Sequence, residues 1–230
     1  PTVGVYSVLR LRTLLFGPEA GESAQFGSQW LIGGGLLTMA FGAIGMLGSQ
    51  RLGHLAGYAA VLSSGTLLAA IGFGQSGLTG GALYYLMSST LALAALFLVS
   101  DLIERSRATE EAVPEENFAD EQIPFPVDLI APDHTNLDEE EQALIGKAIP
   151  AAMAFLGMSF IACALLVSGL PPMSGFIGKI VMLTALFNPE GLGGASEPLR
   201  VAAWFMLAGV VVSGLFATVA FSRAGIRFFW

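Results

Sequence analysis

The chain has 230 residues, of which 54% are hydrophobic and only 12% charged, with a mean hydropathy of +0.69 and a formal net charge of -8. These values exclude an ordinary soluble domain and make lipid the solvent for most of the chain. The acidity is local, since fourteen of the eighteen Asp and Glu lie between positions 101 and 141, and no basic stripe is present that would bind nucleic acid.

In chain order, the first apolar segment, 2–16, has 15 residues, fewer than the roughly 20 that a helix needs to cross the hydrocarbon. There is no initiator Met and no signal-peptide pattern. Residues 1–16 are therefore read as the second half of a truncated transmembrane helix, with Pro1 an internal position of a longer polypeptide. Arg10 and Arg12 can snorkel toward its end. After a polar Gly/Glu/Ser loop, residues 29–104 hold three transmembrane helices, on apolar runs 30–47, 52–73 and 82–103. Gly42, Gly45 and Gly48, three residues apart, read as a close-packing face. Ser63, Ser64, Ser88 and Ser89 are small hydroxyl residues within these runs. They either line a hydrated path or make the packing contacts that small polar residues make in membranes, and the sequence leaves both open. His54, beside Arg51 at a helix start, reads as an interfacial imidazole.

Residues 105–148 form an acidic loop punctuated by Pro114, Pro124, Pro126 and Pro132. It reads as a solvated cytoplasmic linker, with a docking surface or cation-collecting antenna as the alternative.

The next apolar stretch, 149–188, is too long for one straight span and is interrupted by Gly169-Leu-Pro-Pro-Met-Ser-Gly175. Two consecutive prolines remove two backbone donors and clash with the preceding turn. The stretch is either two spans in a tight hairpin or one span broken in mid-membrane. If it is one broken span, Arg51, Arg105, Arg107, Lys147, Arg223 and Arg227 share one side, against Arg10, Arg12 and Arg200 on the other. Such asymmetry favours the broken span and makes the richer side cytoplasmic. A last transmembrane helix covers 200–222. Cys163 is the single cysteine, so an intrachain disulfide and a cysteine-built metal site are excluded, and it reads as a small buried hydrophobe.

Lys179 is the one charge deep within an apolar run, seven residues past the second proline. An ammonium at that depth costs on the order of 3 kcal/mol, which calls for a partner, a water-filled cavity or release of the proton. Burial disfavours the charged form while waters or a carboxylate favour it, so a lysine held between these tendencies can exchange a proton. A helix break nearby supplies unpaired carbonyls and N–H groups, tolerated at membrane depth only where protein or water covers them. No phosphate-binding loop, nucleophile elbow or paired histidine ligands occur, so an enzyme acting on a soluble substrate is poorly supported.

The stretch Gly169-Leu-Pro-Pro-Met-Ser-Gly-Phe-Ile-Gly-Lys179 resembles the broken-helix motif of the Mrp (or Pha) type multisubunit cation/proton antiporters. The antiporter-like subunits of respiratory complex I share that motif. The run from Tyr84 to Asp101 resembles the helix before it, and Val3-Gly-Val-Tyr-Ser-Val-Leu-Arg10 a helix near the middle of the same subunits. The pattern resembles the D subunit most, over essentially the whole chain.

The resemblance implies an all-α polytopic transmembrane bundle with one discontinuous helix, part of an inverted-repeat subunit of which this chain is a C-terminal half fragment. It implies that Lys179 belongs to a central proton path; Gly169, Pro171, Pro172 and Gly175 are the expected hinge of the break, and Ser63, Ser64, Tyr84, Ser88 and Ser89 are candidates to line a hydrated route. It implies no cofactor and no metal. Partners would be other antiporter subunits, the lipid bilayer, protons and Na+ or K+, in a bacterial inner (plasma) membrane. Relatives often carry ionisable residues where this chain has Thr2, Ser63 and Ser88. A serine can hold a water but carries no proton charge at neutral pH, so the route here depends more on water and on Lys179. The expected function is a membrane subunit of a monovalent cation/proton antiporter, a secondary transporter rather than an enzyme. The alternatives are a proton-pumping subunit of NADH:quinone oxidoreductase or a related hydrogenase, and a non-transporting scaffold derived from such a subunit.

Overall fold

A computed structural model describes residues 2–16, 26–112, 151–188 and 201–229. Their elements are α1 (Thr2–Leu15), α2 (Ser28–Gly48), α3 (Leu52–Phe73), α4 (Ser76–Ala112), α5 (Ala151–Ser168), α6 (Ser174–Phe187) and α7 (Val201–Phe229). Among the described residues there is no strand. Four helices are long and apolar enough to cross a membrane: 28–48, 52–73, 77–106 and 201–229. The chain is an all-α membrane bundle. The polar loop at 17–25 and the acidic loop beyond 112 lie outside the described residues. The helix before that loop continues to Ala112, past the expected end at 104, and an exposed Arg105–Asp101 pair at 2.9 Å joins successive turns there.

Helix α3 is the axis of the bundle. Two thirds of its spanning window is buried, against about one third for each of the other three candidate spans. Its inward residues are small, Ala56, Ala59, Gly65, Ala69 and Gly72, which lets α2 approach backbone to backbone. The antiparallel seam runs Ile32 to Gly72, Gly35 to Ala69, Met39 to Gly65 and Gly42 to Leu62. A Cβ added at Gly65 would stand 2.4 Å from the Met39 backbone nitrogen, and one at Gly42 2.6 Å from that of Leu62. Small residues at such a seam supply the van der Waals contact that holds helices together in lipid, where apolar burial contributes little. The expected packing face is thereby corrected in part. Gly42 and Gly45 do pack, on Leu62 and Tyr58, but among the described residues nothing lies within 4 Å of a Cβ at Gly48. The glycines of the seam are Gly35 and Gly42 on α2 and Gly65 and Gly72 on α3, seven residues apart on each helix. Gly65→Val is expected to cost about 1–3 kcal/mol by overpacking, read as a lowered thermal midpoint of the purified protein; an unchanged midpoint would contradict this account of the seam.

The outward faces of α2, α4 and α7 are apolar, with Trp30 87% and Leu37 73% exposed. Such residues would form a large apolar patch on a soluble protein, as is expected of helices long and apolar enough to cross a membrane.

Helices α5 and α6 lie end to end. Along α4 the contacts run Met153 with Ser106, Ser174 with Ser88, Gly178 with Tyr85 and Met182 with Gly81. Along α7 they run Gly157 with Phe229, Phe160 with Phe221, Ser168 with Gly214 and Phe187 with Trp204. Partner numbers fall steadily on both neighbours as α5 and α6 advance, straight through the interruption. A hairpin would make them reverse. The pair is thus one rod, antiparallel to α4 and α7 and broken in its middle. Arg223 and Arg227 reach the carbonyls of Leu47 and Gln50, beside Arg51, which sets all three arginines at one end of the bundle.

Candidate functional site

The break is built by local chemistry. Helix α5 ends at Gly169, whose φ of +75° is a left-handed conformation that glycine adopts without penalty. That turn lets both the Gly169 and Leu170 N–H groups donate to the Leu165 carbonyl, at 3.1 and 3.2 Å. Pro171 and Pro172 follow, exposed and without N–H groups, so the helical ladder cannot resume through them. The chain re-enters a helix after Met173, whose carbonyl accepts from Phe176 at 3.0 Å.

Gly175, in the first turn of α6, is buried against the end of α5. A Cβ there would lie 2.1 Å from the Leu166 carbonyl oxygen, so only glycine lets the two half-helices meet. The start of α6 is pinned sideways by a hydrogen bond of 2.8 Å from the Ser88 hydroxyl on α4 to that of Ser174.

Lys179 sits on α6 and is buried, with 6% exposure. Helical side chains lean toward the N-terminus of their own helix. The lysine therefore reaches back to the break, and its Nζ donates to the Ser168 carbonyl at 2.9 Å. That carbonyl is the last of α5, one of the four that a helix end leaves without intrahelical partners and which carry the negative end of its dipole. The ammonium thus caps the C-terminal end of one half-helix from the other. Among the described residues no carboxylate forms an ion pair with it. An ammonium has three donors; one is used on Ser168.

A cavity of about 10 Å³ adjoins the break, the scale of one water molecule. It is lined by Ser63 on α3, Tyr85 and Ser89 on α4, and Leu166, Val167 and Gly175 at the break. The structure thus brings Ser63 and Ser89 together with the break. Ser64 turns to its own helix and donates to Ala60, while Ser88 meets Ser174. Tyr84 is 45% exposed, away from the cavity. Its neighbour Tyr85, which sequence reasoning passed over, is buried with its hydroxyl on the side chains of Ser63 and Thr66. The signal was available, because Tyr85 lies one turn from Ser89 and from Gly81 on a common helix face.

Arg12, expected to snorkel toward the end of its helix, lies in the last turn of α1 and is 8% exposed, its guanidinium donating to the Ile71 carbonyl and to the Ser28 hydroxyl, where the end of α3 meets the start of α2. Ser28 in turn donates to the Gly72 carbonyl. Carbonyls in the last turn of α3 carry the negative end of its dipole, which favours a cation there.

The described residues thus form a bundle of apolar helices in which one is interrupted and carries a buried lysine at the interruption. Over 231 residues the chain is 45% identical to a protein of Rhizobium meliloti (strain 1021) named as the D subunit of a probable K(+)/H(+) antiporter, a match covering 99% of this chain and 40% of that protein. It is 25% identical over 199 residues to the D subunit of an Na(+)/H(+) antiporter of Alkalihalophilus pseudofirmus, covering 86% of this chain and 33% of that one. With the protein of the same name in Bacillus subtilis (strain 168) it shares 28% identity over 177 residues, 77% of this chain and 29% of that one. No family model matches. Over most of its length the chain is similar to the D subunits of cation/proton antiporters, and it spans about two fifths of the first of these relatives and about a third of the other two.

Proposed function

We propose that the chain is the part of a multisubunit Na+ or K+/proton antiporter in which Lys179 takes up and releases a proton at the broken helix. The observation that carries this reading is the Lys179 Nζ on the Ser168 carbonyl, a buried cation held by a helix end rather than by a carboxylate. The bond stabilises the protonated form without the deep electrostatic trap of an ion pair, so a change in nearby charge or hydration can shift the balance. The small cavity lined by Ser63, Tyr85 and Ser89 offers hydroxyls to a water beside the break.

The protein would work beside other antiporter subunits in a bacterial inner membrane. The end carrying Arg51, Arg223 and Arg227, and with it the acidic loop, would be cytoplasmic. The reading as a secondary transporter rather than an enzyme rests on the relatives' names, which are those of antiporter subunits. The test is an exchange assay with the full-length protein in its complex. Everted vesicles from a host lacking its own antiporters are energised to build a pH gradient, and Na+ or K+ is then added. Dissipation of the gradient by either cation is the expected result; dissipation by neither would contradict the reading.

A further inference from the structure

The turn between α2 and α3 meets the end of α7 in a cavity of about 150 Å³, lined by Gln50, Arg51, Arg223 and Arg227 over an apolar floor of Leu55 and Phe228. Two of the arginines are tethered by one nitrogen each. Arg223 donates to the Leu47 carbonyl at 3.3 Å, and Arg227 to the Gln50 carbonyl at 3.4 Å. Among the described residues none of the three arginines makes an ion pair. A guanidinium presents five donors in a planar fork that matches phosphate oxygens two at a time. Tethering by one nitrogen leaves that fork largely free while reducing the conformational freedom that binding would otherwise cost.

A second cavity of about 510 Å³ shares Ser49, Gln50 and Arg51 and continues past His54 along Ile44, Gly45, Gly48 and Tyr58. Ile44 is 63% exposed, and among the described residues nothing lies within 4 Å of a Cβ at Gly48, so below His54 this groove follows an exposed, apolar stretch of α2. A cationic pocket at the ends of spans, joined to a groove that turns apolar along the span, has the two chemistries of one amphiphile.

We infer that this is a binding site for an anionic phospholipid, its phosphate held by Arg51, Arg223 and Arg227 and an acyl chain lying along Ile44, Gly45 and Tyr58. Basic pockets at helix ends hold lipid head groups by this combination of charge and depth. The site is distant in kind from the lysine break and stands whether or not Lys179 moves protons.

The test is native mass spectrometry of the complex containing the full-length protein, released from nanodiscs made with equal parts phosphatidylglycerol and phosphatidylcholine. The wild type is expected to retain phosphatidylglycerol in preference. In the triple variant Arg51→Gln/Arg223→Gln/Arg227→Gln that preference falls by about fivefold per arginine removed, the worth of one cation at an anionic membrane surface. Arg105→Gln, on the exposed stretch of α4, retains it. Should the triple variant fail to assemble, Arg223→Gln alone carries the comparison with a fivefold loss. Equal retention of both lipids by the wild type, or unchanged preference in the variants, overturns the proposal. Displacement of phosphatidylglycerol by inorganic phosphate at matched ionic strength also overturns it, assigning the pocket to the free anion instead.

Discussion

Lys179→Ala in the full antiporter complex abolishes cation-driven proton exchange while the complex still assembles. The expected fall is at least about a hundredfold, the lower end of what a positioned proton-transfer group contributes. Assembly survives because two effects on stability oppose each other. Losing the bond to Ser168 leaves a buried carbonyl unsatisfied, at about 1–3 kcal/mol. Removing an ammonium from low dielectric recovers a cost of similar size. The surrounding contacts of α6, made by Gly178, Met182 and Leu186, are untouched. Initial rates in everted vesicles, normalised to the amount of assembled complex, measure the effect. Near-normal exchange would remove Lys179 from the path.

Gly175→Ala has an effect of another kind. Its Cβ, fixed in place by the backbone, would stand 2.1 Å from the Leu166 carbonyl oxygen, itself a backbone atom, so no side chain can rotate out of the way. The two half-helices must separate. Overpacking of this sort costs about 1–3 kcal/mol, which lowers the thermal midpoint of the purified complex. The larger consequence is geometric. The 2.9 Å bond from Lys179 to Ser168 spans the same junction, and a displacement of even one ångström would stretch it beyond hydrogen-bonding distance. Exchange should therefore fall further than stability, by tenfold or more on the scale of misplaced catalytic groups. Equal midpoints and equal rates in wild type and variant would show that the junction is not the constrained element described here.

The sequence showed the outline of this arrangement more clearly than its contacts. Hydropathy located the spans because lipid imposes a nearly uniform requirement on them. Gly169, Pro171 and Pro172 marked the interruption because proline's missing N–H is a local fact that no tertiary contact can supply. Lys179 stood out because a lone charge in an apolar run has no inexpensive explanation. The carbonyl it meets could not be read, since Ser168 is brought to it by the turn rather than by helical spacing. The partners of Arg12 were hidden for a related reason: Ser28 and Ile71 belong to other helices, and distance along the chain gives no hint of them. Tyr85 was legible in principle from its helix face, and Tyr84 drew attention only through its place in a family motif. The glycine seam of α2 and α3 was visible on one helix at a time, whereas its pairing, Gly42 with Leu62 and Gly65 with Met39, depends on antiparallel register.

The central claim is that Lys179 acts by giving up its proton and not merely by supplying a positive charge to the broken helix. Lys179→Arg separates the two most directly, because a guanidinium keeps the charge and can still donate to the Ser168 carbonyl but does not deprotonate in a protein. Proton flux through proteoliposomes holding the complex should fall to the level of Lys179→Ala while assembly and thermal midpoint stay close to wild type. Exchange at near wild-type rate in Lys179→Arg would contradict the account.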